Sequence, residues 1–377
     1  MLLEYSKDIE IVDFNAMALL RLYNTRYLKK IRKCEMRLSK DFCLSDLGYV
    51  LKNSLEHLFI IGGTFEATQL SLLEIIFDRL KQFMIEQKHL QVSLDIVIVL
   101  LDELDFNSSP KLKIPNLNVT LNITSTTDLK VGQLDKFISK SFGSEAIKTL
   151  TINFDYVGLS NEELKDASFV ENLTQLKVLE LYGDFKLGSG SRSPVLNLDK
   201  LVLSKGYANL GNVVARKMTL KESEISQNTI GEGVEELTET ESLNWNEARL
   251  PLTLHTLNIE NLQEVCPQRT PFKNSRHRFG DNPPELSFEN NLDVFKDLIN
   301  LKKLKIGEFC RAEGLELPSK LEHFEFKYYY NDSNYIIDTI DFDLPKSLKK
   351  IGASNEVLKN LNLEKFSLGP EVALMML

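Results

Sequence analysis

The chain has 377 residues, 43% of them hydrophobic and 26% charged, so it carries enough apolar surface for a packed core and too much for wholesale disorder. Lysine and arginine number 45 against 54 aspartate and glutamate, a net charge of -9. That balance excludes the broad basic footprint of a general nucleic-acid binder.

In chain order, the first residues, MLLEYSKDIE, lack a basic segment followed by an apolar run. No secretory leader is expected, and the predicted location is cytoplasmic or nuclear. Strand-like phrases stand at Ile9-Glu-Ile-Val12-Asp-Phe14, Ile31-Arg-Lys-Cys34-Glu-Met36 and Leu55-Glu-His-Leu58-Phe-Ile60. From Thr64 to His89, Leu70, Leu73, Phe77, Leu80 and Met84 recur at steps of three and four, which predicts an amphipathic helix. The apolar run Ile96 to Leu101 falls far short of the roughly 20 residues that cross a bilayer, so no membrane span is predicted. Leu117, Val119, Leu121 and Ile123 alternate as in a strand; the interleaved Asn118-Val-Thr and Asn122-Ile-Thr would be glycosylation acceptors only in a secreted chain.

A strand phrase follows at Ile147-Lys-Thr-Leu150-Thr-Ile152. Ser160-Asn-Glu-Glu163 has capping-box spacing, which predicts a short helix through Val170. Further phrases begin at Leu176, Leu198, Ala215 and Leu254. Leu292, Phe295 and Leu298 have helical spacing and lead into the phrase at Leu301, and the last phrases begin at Leu321, Leu348 and Leu363.

These phrases share one pattern, apolar residues in the first, fourth and sixth places (LxxLxL). First-position separations are 22 (Ile9 to Ile31), 24 (Ile31 to Leu55), 29 (Ile147 to Leu176), 22 (Leu176 to Leu198) and 17 (Leu198 to Ala215), most of them in or near the window of 20 to 29. A single phrase is weak, because any half-buried strand can show it; recurrence at one period marks stacked units. In each phrase the fourth and sixth side chains point inward, and the third, fifth and seventh point to the opposite face. One unit cannot bury its own apolar side, so neighbours must stack.

On these residues the chain resembles leucine-rich-repeat proteins over nearly its whole length. The resemblance implies an α/β fold: a leucine-rich-repeat solenoid, or horseshoe, with a parallel concave sheet and an irregular helical or loop convex side. Residues 1–377 would form a single solenoid with an irregular loop insertion at 266–284. Three phrases follow a Leu-Pro pair, at Leu250-Pro251, Leu317-Pro318 and Leu344-Pro345. This form is similar to the irregular repeats of fungal and amoebal intracellular proteins, and to those of bacterial effectors that act as ubiquitin ligases. In the fungal group the array often follows an F-box and serves as the substrate receptor of a ubiquitin ligase. The chain departs from that arrangement, because its first phrase already begins at Ile9 and no F-box is visible. The asparagine that normally follows the strand is replaced by Asp155, Asp184, Gly206 and Leu262, so irregular turns are expected. The apolar Val372 to Leu377 and the lack of polar caps predict exposed ends open to self-association.

Catalytic signals are weak. The histidines His57, His89, His255, His277 and His323 have no metal-ligand spacing, and Cys34, Cys43, Cys266 and Cys310 are scattered, as expected of buried reduced thiols. Gly188-Ser-Gly190 and Gly231-Glu-Gly233 lack phosphate-loop spacing and read as turns, while Glu235-Glu-Leu-Thr-Glu239 reads as a solvated acidic face. No catalytic residue, cofactor or metal is expected. The expected function is a non-enzymatic scaffold or adaptor binding a protein partner on the concave face, through Glu180, Tyr182, Lys303, Lys305, His323, Glu325, Lys327 and Lys350. The alternative is the substrate-recognition subunit of a ubiquitin ligase, an F-box-type receptor without its F-box, with ligase subunits as partners. Arg269, Lys273, Arg276 and Arg278 form a basic loop, a second candidate contact for acidic or phosphate groups.

Overall fold

The computed structural model describes residues 9–14, 31–37, 56–66, 74–75, 78, 81, 89–100, 117–125, 131–154, 165–188, 196–210, 213–243, 245, 247–261, 295–308, 316–326, 344–353 and 372–376. The chain divides into two units, Met1–Lys186 and Leu187–Leu377.

In the first unit the main sheet is built from β1 (Ile9–Phe14), β2 (Ile31–Arg37), β3 (His57–Glu66), β4 (Gln91–Leu100), β5 (Leu117–Ser125) and β6 (Ile147–Asn153). Beyond the short β7 (Lys165–Asp166), the sheet continues with β8 (Val178–Tyr182), and every neighbouring pair is parallel. Parallel pairing requires the chain to cross back after each strand, which is what spacing the phrases tens of residues apart provides. The inward side chains then stack in columns. Cys34, Leu58, Val92 and Leu117 form one such column and Ile98, Ile123, Ile152 and Leu181 another, all buried.

The return from β5 to β6 is a helix, α1 (Val131–Ser141), with Leu134, Phe137 and Ile138 buried at helical spacing and Lys140 in its last turn, where a cation favours the dipole. Phe137 meets Phe142 edge to face at 6.2 Å. The predicted helix over Thr64 to His89 is narrower at its start, because β3 runs through Glu66. Glu74, Ile75, Asp78 and Lys81 are helical, and the stripe Leu70, Leu73, Phe77, Leu80 and Met84 lies outside the described residues. The capping-box residues 160–163 are also outside. The segment that follows them is not the predicted helix: β7 pairs with β9 (Phe185–Leu187), and Ser168–Asn172 forms a 3-10 turn burying Phe169 and Val170. Asp166 explains the change, since its Oδ1 accepts from the Ser168 N–H at 2.9 Å and sets a local turn in place of a helical start.

In the second unit the main sheet runs through β10 (Leu196–Ser204), β12 (Val213–Lys221), β14 (Glu236–Thr240), β15 (Thr256–Asn261), β16 (Lys303–Glu308), β17 (His323–Phe326), β18 (Lys350–Ala353) and β19 (Ala373–Met376), again all parallel. The fourth places of successive phrases are in register, Leu237, Leu257, Leu304, Phe324 and Ile351, each buried. The Leu-Pro pairs acquire a local role. The carbonyls of Pro251, Pro318 and Pro345 accept from the N–H groups of Leu254, Leu321 and Leu348 at 3.2, 3.1 and 3.0 Å, closing a turn that drives each leucine into the core. Phe295 and Leu298 do enter the core, Phe295 from a 3-10 turn, while Leu292 lies outside the described residues; Phe295 packs on Trp245 at 5.7 Å. The segment Val372 to Leu377, expected as an uncovered apolar end, supplies β19, whose backbone pairs with β18.

Where asparagines are missing, serines and one glutamate hold the turns. Glu239 sits at the sixth place of its phrase, in register with Ile259, and is fully buried, which corrects its reading as part of a solvated acidic face. Its Oε1 accepts from the N–H groups of Ser242 and Leu243, the latter at 3.1 Å. Ser242 Oγ accepts from the Ser223 N–H at 3.0 Å, and Ser223 Oγ accepts from the Gly206 N–H at 3.4 Å, so the satisfaction passes from turn to turn. The backbone needs this help because Lys205, Glu222 and Glu241, which follow β10, β12 and β14, adopt left-handed conformations with φ of 60°, 46° and 53°. A short second pair, β11 (Tyr207–Ala208) with β13 (Glu224–Ile225), runs beyond these turns.

Each unit is thus a leucine-rich-repeat stack of parallel strands, α/β in class, whose returns, where described, are mostly irregular apart from α1. Replacing Glu239 by alanine should remove the acceptor for two buried amides and lower stability by on the order of 3 kcal/mol in urea denaturation. Glu239→Gln, which keeps an oxygen there, should lose clearly less; equal losses would show that the turn does not depend on this acceptor.

Candidate binding face

Strand alternation that buries the columns turns the third and fifth places of each phrase to the open side of the sheet. In the first unit that side is mainly uncharged and polar. Thr151 stands beside Asn122 and Glu180, and Asn153 beside Thr124 and Tyr182. Glu180 and Tyr182, both half-buried, are joined by a hydrogen bond from the tyrosine hydroxyl to Glu180 Oε2 at 3.3 Å. His57 lies on the same side of its strand and stacks on the exposed Phe59, ring centroids 6.3 Å apart.

In the second unit the open side is charged. One row runs Lys217, Glu236, Thr256, Lys303, His323 and Lys350 across adjacent strands. The next row carries Thr219, Thr238, Asn258, Lys305 and Glu325. Five of the residues expected to make contact are therefore neighbours on three strands: Lys303, Lys305, His323, Glu325 and Lys350. Lys327 and the basic-loop residues Arg269, Lys273, Arg276 and Arg278 lie outside the described residues. The sequence reading missed Lys217, Thr219, Thr238 and Asn258 on the same side. β14 had gone unseen because Glu239 replaces the apolar sixth place; Val234 and Leu237 keep the correct first and fourth spacing and were the available signal.

Charge on this side is only partly compensated. Lys217 meets Glu236 at 3.0 Å and Lys305 meets Glu325 at 3.8 Å. Lys303 and Lys350 have no carboxylate within ion-pair distance among the described residues, and both are exposed. His323 stands between them, and partial burial followed by the repulsion of Lys350 and Lys303 holds its pKa below the ordinary histidine value. Just outside the row, Lys349 bonds Glu322 at 2.7 Å, and that hydrogen bond keeps the exposed Glu322 carboxyl below the usual range. At Gly307, the next outward position on β16, a Cβ would run into the Glu260 carbonyl oxygen, so only glycine lets the two strands approach there.

Two other features bear on chemistry. Burial and the neighbouring Glu35 push the Cys34 thiol up to about 12, so it is inert at neutral pH; the other three cysteines lie outside the described residues. At the turn edge of the second unit, Glu222, Glu224, Glu241 and Glu247 line an open hollow of about 910 Å³. The strand side and the turn edge of this unit thus have opposite electrostatic character. Among the described residues no helix is long and apolar enough to cross a membrane.

No protein-family model matches the chain, and no curated protein matches it. Among solved structures it is similar to "Crystal structure of TLR13-ssRNA13 complex", at 16% sequence identity and a TM-score of 0.36 over 94% of this chain. The chain spans 63% of the length of that one. The repeat fold rests on the strand registers described above and not on this likeness.

Because His323 is partly buried and sits between two lysines, its folded pKa lies below its unfolded value; the unfolded chain binds more protons as pH falls through that window, and stability from this group declines toward acid pH. In an NMR titration His323 should protonate at a lower pH than a free histidine, and Lys350→Glu should move the midpoint upward. A midpoint unmoved by that substitution would contradict the described juxtaposition.

Proposed function

We propose that the chain is a non-enzymatic scaffold or adaptor that binds a protein partner on the open side of its parallel sheet. Support comes chiefly from the second unit: its outward row holds Lys303 and Lys350 exposed and, among the described residues, without a carboxylate partner, on strands whose opposite sides are packed core. Residues fixed on paired strands give a rigid surface, which lowers the ordering cost of association. In this reading residues 1–377 act as one array, Glu180 and Tyr182 belong to the same use of the open side, and the 266–284 segment adds a basic contact. A ubiquitin-ligase receptor is a narrower form of the proposal, resting on the Leu-Pro phrases alone.

Affinity capture from native lysate tests the proposal. The intact chain is compared with Lys303→Glu/Lys305→Glu and with a turn-edge control, Glu222→Lys/Glu224→Lys, each shown to be folded by circular dichroism. The proposal expects a partner recovered by the intact chain and the control, and depleted roughly tenfold by the double reversal on β16, as for loss of charge complementarity. Recovery of the same proteins by all three would refute the face, whereas ligase subunits among the lost proteins would favour the receptor form.

A further inference from the structure

The open side of β16 to β18 has a charge opposite to that of the chain as a whole. The chain carries -9, and the turn edge of the same unit gathers Glu222, Glu224, Glu241 and Glu247. Among the described residues of these three strands, the open side sets Lys303, Lys305 and Lys350 against one carboxylate, Glu325, which Lys305 already meets at 3.8 Å. Lys303 and Lys350 flank the same residue, His323, so they stand two strand spacings apart, roughly 10 Å. That is close to the Debye length of about 8 Å at physiological salt, and their fields add over the surface between them. Among the described residues neither lysine has a carboxylate within ion-pair distance. An anionic group laid across the row would neutralise both.

From this placement we infer that the partner engages the row Lys303, His323 and Lys350 through an acidic, Asp/Glu-rich segment of its own chain. The inference rests on the binding reading above and specifies the chemistry of its partner. A protein segment fits better than a nucleic-acid backbone. Among the described residues the lysines without a carboxylate partner on this side stand on β16 and β18, with Glu325 on β17 and Glu236 two strands away from Lys303, and a continuous phosphate chain crossing the sheet would meet those carboxylates. A short acidic segment can place its carboxylates on the two lysines alone.

A random twelve-residue peptide library, selected on the immobilised full chain, decides the matter. Enriched peptides should carry net negative charge, weaken steeply with added salt, and bind roughly tenfold less tightly to Lys303→Glu/Lys350→Glu, while Glu222→Lys/Glu224→Lys binds them undiminished. A third variant, Thr219→Arg/Thr238→Arg, blocks the same side without removing either lysine. If enriched peptides are neutral or basic but are lost on the Thr219→Arg/Thr238→Arg variant, the binding face stands and the acidic partner is overturned. No enrichment, or acidic peptides that bind both open-side variants as well as the unaltered chain, overturns the inference. A single-stranded RNA of matched length that binds at the row while acidic peptides do not would overturn it in favour of nucleic acid.

Discussion

A short strand of the LxxLxL type buries every second side chain, yet its own return covers only part of that apolar row. The deficit is met by the strands on either side, which must lie parallel and in register so that leucine falls beside leucine. Leu237, Leu257, Leu304, Phe324 and Ile351 form such a column in the second unit, and Ile98, Ile123, Ile152 and Leu181 in the first. A slip of one residue would turn every one of these side chains outward, so the hydrophobic columns hold the register of the whole sheet. The same register fixes which side chains face away. Lys303, His323 and Lys350 share a row because Leu304, Phe324 and Ile351 share a column.

The constraint extends to the turns. Each parallel strand must end, reverse and return without leaving amides unbonded in the core. In the second unit this falls to Ser223, Ser242 and the buried Glu239, whose carboxylate replaces an apolar side chain at the sixth place and holds the following turn. Desolvating a carboxylate is costly, and the two amide donors offset that cost. The Pro251, Pro318 and Pro345 carbonyls do the equivalent work at the start of their phrases.

The columns were readable in the sequence wherever both leucine-type places were filled, because a period of two is strict and a slip is heavily penalised. The positions of Lys303, Lys305, His323, Glu325 and Lys350 followed from it. β4 was harder to see, since Val97 and Val99 on its outward side blur the alternation set by Val92, Leu94, Ile96 and Ile98. β14 was hidden by Glu239, whose burial depends on amides that only the folded turn presents. The segment from Lys165 to Val170 looked helical because capping-box spacing is a local signal, and in it the Ser168 amide bonds to Asp166 instead and sets a turn. The charge balance of the open row was not legible at all: a run of lysines in sequence does not show which of them finds a carboxylate on the next strand, and only the register pairs Lys305 with Glu325 while leaving Lys303 and Lys350 without one among the described residues.

In the proposed reading, the open side of the second unit's sheet is the surface a partner touches. The most direct measurement places a photoreactive amino acid singly at Thr256, at Lys305 or, on the turn edge, at Ser226, and irradiates the folded chain in the cells that make it. A discrete cross-linked adduct is expected from Thr256 and Lys305, and none from Ser226. Adducts formed from Ser226 alone would contradict it and move the binding surface to the acidic turn edge.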